Sequence, residues 1–191
     1  QPSYTKGAER PDHWGWLSVY PQQKFGKQSD GGYEQVPVGI AQNHAQAKGL
    51  TAMNAGPDVF GRSHTTQHGP DTRPDSKLYG ANFKEQWEYA LEVDPQFIFI
   101  TGWNEWIAGR HTSWMGVTNA FPDTFNDEYS RDIEPTTGDL KDHYYYQMVS
   151  YIRQFKGVRP PEAASAPKTI DLASAGDEWA DVGPAFRHYR G

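Results

Sequence analysis

Residues 82–103, NFKEQWEYALEVDPQFIFITGW, constrain this chain more than any other stretch. Phe83, Trp87, Ala90 and Leu91 recur at helical spacing, and Asn82 stands as an N-cap with Glu85 three positions on. Pro95 ends that helix. Residues 96–103 follow at once as a nearly continuous run of β-formers, the pattern of a buried strand. A helix that delivers the chain straight into a buried strand marks an α/β architecture.

The rest of the chain is read around that unit. Residues 14–22, WGWLSVYPQ, and 36–44, VPVGIAQNH, read as two earlier strands, with Pro37 an unusual member of the second. Residues 141–158 read as a last helix that turns Tyr145, Met148, Val149, Ile152 and Phe155 to the core and ends at Gly157. Long Gly-, Pro- and Ser-rich loops, 45–79 and 104–140, follow strand ends, where barrels and open α/β sheets carry their sites. Three strands fall short of a full barrel, which takes about 250 residues. The expectation is therefore the C-terminal part of a (β/α)₈ barrel over 1–158. A linker, RPPEAASAPKTI, covers 159–170, and 171–191 begins a further module. A companion polypeptide carrying the N-terminal part of the barrel is expected with it.

Composition narrows the function classes. The formal charge of −6, without a Lys/Arg patch, argues against nucleic acid as a partner. No apolar run approaches the roughly 20 residues that a membrane span needs. With 0 Cys there is neither a thiolate metal site nor a cysteine nucleophile. No serine stands in a Gly-x-Ser-x-Gly elbow, and no glycine-rich phosphate loop is present. Aromatic residues make up 14%, and many stand beside Gly, Asn, Asp, Arg and His. Aromatic faces among hydrogen-bonding side chains suit sugars, whose ring faces are apolar and whose edges are hydroxyls.

Candidate chemistry gathers in a few places. At the end of the 96–103 strand, Glu105 follows Asn104 between Trp103 and Trp106. Indoles desolvate a carboxylate and raise its pKa, which suits a general acid for a glycosidic oxygen. The stretch FNDEYSRDIEP, 125–135, holds Asp127, Glu128, Arg131, Asp132 and Glu134. Glycosidases typically use two carboxyl groups, so Asp132 or Glu134 is a partner for Glu105. The same acids also read as a structural calcium site or as a loop clamped by Arg131. Gln42, Asn43 and His44 sit at a strand end with groups that match sugar hydroxyls, as does Tyr20, and Trp103, Trp106 and Trp114 would line sugar subsites. Arg62 and Arg110, which stand in loops with His64, His68 and His111, would suit an anionic sugar. His64 and His68 have the spacing of a helical metal pair, but their Gly-, Thr- and Pro-rich surroundings do not form a helix, so no metal is assigned.

The motif TGWNEW, 101–106, resembles the Trp-Asn-Glu-Trp signature of a group of glycan-active barrel proteins. That group includes glycoside hydrolase family 99 and related polysaccharide-biosynthesis proteins. The resemblance spans roughly residues 80–158 and is close only over those six. It implies that Asn104 and Glu105 lie in the active site of a (β/α)₈ barrel. Family 99 has a second glutamate three positions on, where this chain has Ala108, so that two-carboxylate mechanism does not carry over. The expected function is a secreted or periplasmic glycoside hydrolase without a cofactor. The alternatives are a non-catalytic carbohydrate-binding protein and a glycan-biosynthetic enzyme.

Overall fold

The computed structural model describes residues 13–104, 108–160, 163–173 and 176–183. The chain divides into two units, Gln1–Lys156 and Gly157–Gly191. The first begins with β1 (Phe25–Lys27), β2 (Tyr33–Val38), β3 (Gln42–Ala45), β4 (Gly49–Leu50), β5 (Val59–Phe60), β6 (His64–Thr65) and β7 (Gly69–Pro70). It continues with α1 (Ala81–Val93), β8 (Phe97–Ile100), the hairpin β9 (His111–Trp114) and β10 (Val117–Ala120), and α2 (His143–Lys156).

The helix–strand unit forms as its pattern dictates. α1 carries the chain from β2 back to the same end of the sheet, and β8 pairs parallel to β2, with Val36 opposite Ile98 and Val38 opposite Ile100. These four side chains belong to one core with Phe83, Trp87 and Ala90 of α1. α2 closes that core with Tyr144, Met148, Tyr151, Ile152 and Phe155. The Tyr151 ring lies flat on Trp87, with centroids 5.3 Å apart. Met148, Ile152 and Phe155 face inward as expected, while Tyr144 and Tyr151 take the places expected for Tyr145 and Val149, and Tyr145 stands exposed. Gly80 occupies the N-cap of α1 in a left-handed conformation, not Asn82. Asn82 is buried and exchanges two amide hydrogen bonds with Gln42, at 2.9 and 3.0 Å.

The sequence-based expectation of a (β/α)₈ barrel is overturned. Among the described residues there are two helices and one parallel strand pair. β1 lies antiparallel on the other side of β2, the place where a barrel needs a parallel neighbour, so the main sheet is β1-β2-β8 and ends there. The remaining strands form small antiparallel sheets: β4-β3-β5, β6-β7 and β10-β9. The stretch from 45 to 79 doubles back on itself in tight hairpins, where a barrel would have a crossover helix. The architecture is mixed α/β.

Other expectations shift with it. Residues 14–22 form no strand; Gln35 pins this segment across the sheet by bonding both the N–H and the carbonyl of Gly15, at 3.1 and 2.7 Å. β8 is an edge strand, not a buried central one, and its Phe99 is 46% exposed. Phe97 is covered edge-on by Trp14 at 5.0 Å. The second unit shows no strand among its described residues. It holds a 3₁₀ turn, Asp177–Trp179, with Lys168 bonded to the Glu178 carbonyl and the Asp181 carboxylate. Among the described residues no helix is long and apolar enough to cross a membrane.

Trp87 joins α1, α2 and the sheet and is 1% exposed. Trp87→Ala should lower stability by about 3–5 kcal/mol, read as a fall in the urea midpoint with little change in slope.

Candidate active site

The candidate site begins where β8 leaves the sheet. The Thr101 N–H donates to the Val38 carbonyl at 2.9 Å and is the last rung of the pairing. Gly102 then turns the chain at φ +82°, and a methyl group there would overlap the Arg131 carbonyl oxygen. Glycine is required on both counts. The turn lets residues 131–134 lie along the strand's exit. The Ile133 N–H donates to the carbonyls of Gly102 and Trp103, at 2.9 and 3.1 Å, and the Glu134 N–H donates to the Trp103 carbonyl at 2.8 Å. Two stretches singled out in the sequence, TGWN and SRDIEP, are thus laced together. The Asn104 amide donates to the Glu134 carboxylate.

A buried arginine supports this arrangement from behind. Arg62 is 1% exposed, and its Nη2 donates to Ser130 Oγ at 3.3 Å and to the Asp132 carbonyl at 2.7 Å. Its guanidinium lies over the Tyr144 ring, 4.3 Å from the centroid. Burial pushes the Arg62 pKa down, while Tyr144, Asp132 and Asp127 act to keep the charge. Burial likewise pushes the Tyr144 phenol up to about 12, so it stays neutral beneath the arginine. Glu128 holds the loop of Arg62 in place. Its carboxylate accepts from the Ser63 N–H at 3.0 Å and from Ser63 Oγ at 2.5 Å. Burial raises its pKa, against the pull of the Ser63 hydrogen bonds.

The front is aromatic. Trp103 is 46% exposed and meets Tyr145 edge-on at 6.2 Å. Trp16 is 43% exposed. The Arg131 guanidinium sits 5.5 Å from the Trp16 ring centroid and is ion-paired to Asp123. Thr124 Oγ1 reaches Asp132 Oδ2 at 3.4 Å.

Of the residues nominated from sequence, the structure brings together Trp103, Asn104, Asp132 and Glu134. Glu105 and Trp106 lie outside the described residues. Gln42, Asn43 and His44 belong to β3. Gln42 is committed to Asn82, and the Asn43 carbonyl accepts from the Thr51 N–H at 2.9 Å. The His44 ring contacts Phe60, which in turn stacks on His64 at 4.0 Å. Tyr20 leans on Tyr89 of α1 and lines a separate cavity of about 460 Å³ with Glu85 and Glu88. Arg110 is exposed before β9; His111 and Trp114 face Ala120 and Val117 across the hairpin. Among the described residues no three His, Asp or Glu side chains gather as a metal-ligand group. Arg62, read in the sequence as a binder of anionic sugar groups, lies buried behind the centre, and Trp16 and Asp123 were not singled out for it. Trp16 was hidden inside an expected strand, and Asp123 is an ordinary loop acid until Arg131 folds onto it.

Comparison of the chain with protein-family models, curated proteins and solved structures returned no match.

Two expectations follow from this geometry. Gly102→Ala should cost more than about 1–3 kcal/mol, because strain at a positive φ adds to the overlap with Arg131. A urea melt checks it, and an unchanged midpoint would contradict the assigned turn. The second concerns His44 and His64. Burial lowers the pKa of both from 6.5, and their mutual repulsion lowers that of His64 further. The unfolded chain then binds protons that the fold disfavours, so this contribution is fully present above 6.5 and is lost as pH falls toward the lowered folded-state values. Thermal melts across that range should show Tm falling, with a shallower fall in His64→Gln.

Proposed function

We propose that the chain is a glycoside hydrolase acting on a poly- or oligosaccharide by carboxylate acid–base chemistry. One observation carries the reading. The Glu134 carboxylate is held by Asn104 at the exit of β8, where the Glu134 N–H donates to the carbonyl of the half-exposed Trp103. A glycosidic bond is broken by protonating its oxygen while a second carboxyl group attacks the sugar or activates water. Glu134 and Asp132 are two carboxylates on one short segment, and Glu105 follows Asn104 directly in sequence. Asn104 orients Glu134 through its amide donor. Exposed indole supplies the apolar surface on which a sugar ring face lies while its hydroxyls bond to neighbouring polar groups.

A non-catalytic glycan-binding reading is favoured by one feature, Ala108 at the position where the resembled family has its second glutamate. Release of reducing ends from a polysaccharide panel separates the two readings. On the hydrolase reading, Glu134→Gln should lower turnover by roughly 10²–10⁴-fold while the circular dichroism spectrum is unchanged. Turnover at the wild-type level in that variant would remove Glu134 from the chemistry. Binding without any product release from the wild-type chain would assign the protein to the binding class.

A further inference from the structure

We infer that Trp16 is a second sugar-binding subsite, held beside the Asn104–Glu134 centre by the Arg131–Asp123 pair, and that the ligand is an oligosaccharide spanning both. The inference rests on the glycan reading above and adds to it the extent and charge of the ligand. Trp16 lies in a segment without regular structure, yet its indole is located by a specific contact. The Arg131 guanidinium packs against its ring at 5.5 Å, and Asp123 fixes the guanidinium in turn. The backbone of the same arginine is locked to the strand exit, because its carbonyl abuts Gly102. The position of Trp16 relative to Glu134 is thereby set through three residues of one segment, a backbone reach of about 10 Å. Trp16 and Trp103 are both nearly half exposed, so each indole has apolar surface open to a ligand.

The charges around the subsite select the sugar. The side chain of Arg131 is 5% exposed and already carries Asp123 as its counter-ion. Arg62, the other cation of the centre, is buried behind Ser130 and Asp132. Both cations are thus engaged by the protein, so the subsite takes an uncharged pyranose laid face-on against the indole. Arg131 acts here as a positioning residue and Trp16 as the contact.

The test is a titration of the full chain with neutral oligosaccharides from disaccharide to hexasaccharide, monitored by calorimetry and tryptophan fluorescence. Wild-type affinity should rise with chain length. Trp16→Ala should lose that rise, with the longest ligand weakened roughly tenfold and the disaccharide unchanged. Trp16→Phe keeps an aromatic face and should recover part of it, which separates loss of the subsite from loss of the fold. Arg131→Lys should behave like Trp16→Ala, because an ammonium cannot stack and ion-pair as the planar guanidinium does. Equal length dependence in wild type and Trp16→Ala would overturn the subsite while leaving the glycan reading in place. Tighter binding of uronic-acid oligosaccharides than of neutral ones would overturn the charge assignment. Failure of the wild-type chain to bind any member of either series would overturn the glycan reading, and the subsite with it.

Discussion

Three backbone hydrogen bonds, from Ile133 and Glu134 to the carbonyls of Gly102 and Trp103, set the geometry of the whole centre. They are undirected by side-chain chemistry, so substitution cannot retune them without moving the backbone. They depend on Gly102 adopting a left-handed turn and on Arg62 holding the following loop from below. The fold places its recognition groups by fixing main chain first. Side chains such as Asn104 and Glu134 then meet because their backbones already have.

This order of causes explains what the sequence could disclose. The α1–β8 unit was legible because its apolar spacing switches from helical to continuous within a few residues, and burial against β2 rewards that pattern directly. The two polar motifs were legible as residue types. Their meeting was not, because it depends on a glycine conformation and a lacing of loop backbone that leave no periodic trace. The barrel expectation failed for a related reason. A parallel pair with a helix between is common to many α/β folds, and only the neighbour on the far side of β2 distinguishes them. That neighbour, β1, is three residues long and runs antiparallel.

Gln42 has the chemistry of a sugar site, yet its amide is spent on Asn82 inside the molecule, and the His44 ring packs on Phe60. Gln42 and Asn82 satisfy each other, an arrangement that makes a buried amide tolerable. A polar side chain at the end of a strand is as useful for closing a loop as for holding a ligand, and sequence does not separate the two uses.

The edge position of β8 has a consequence for handling the protein. Phe97, Ile98, Phe99 and Ile100 are four uncharged β-formers in succession, without the lysine, proline or bulge by which edge strands usually discourage pairing with other chains. With Phe99 nearly half exposed, this short strip offers its unpaired edge to a strand of another chain at high concentration. A lysine at position 99 would act as a gatekeeper against strand addition while leaving Ile98 and Ile100, which carry the core, untouched.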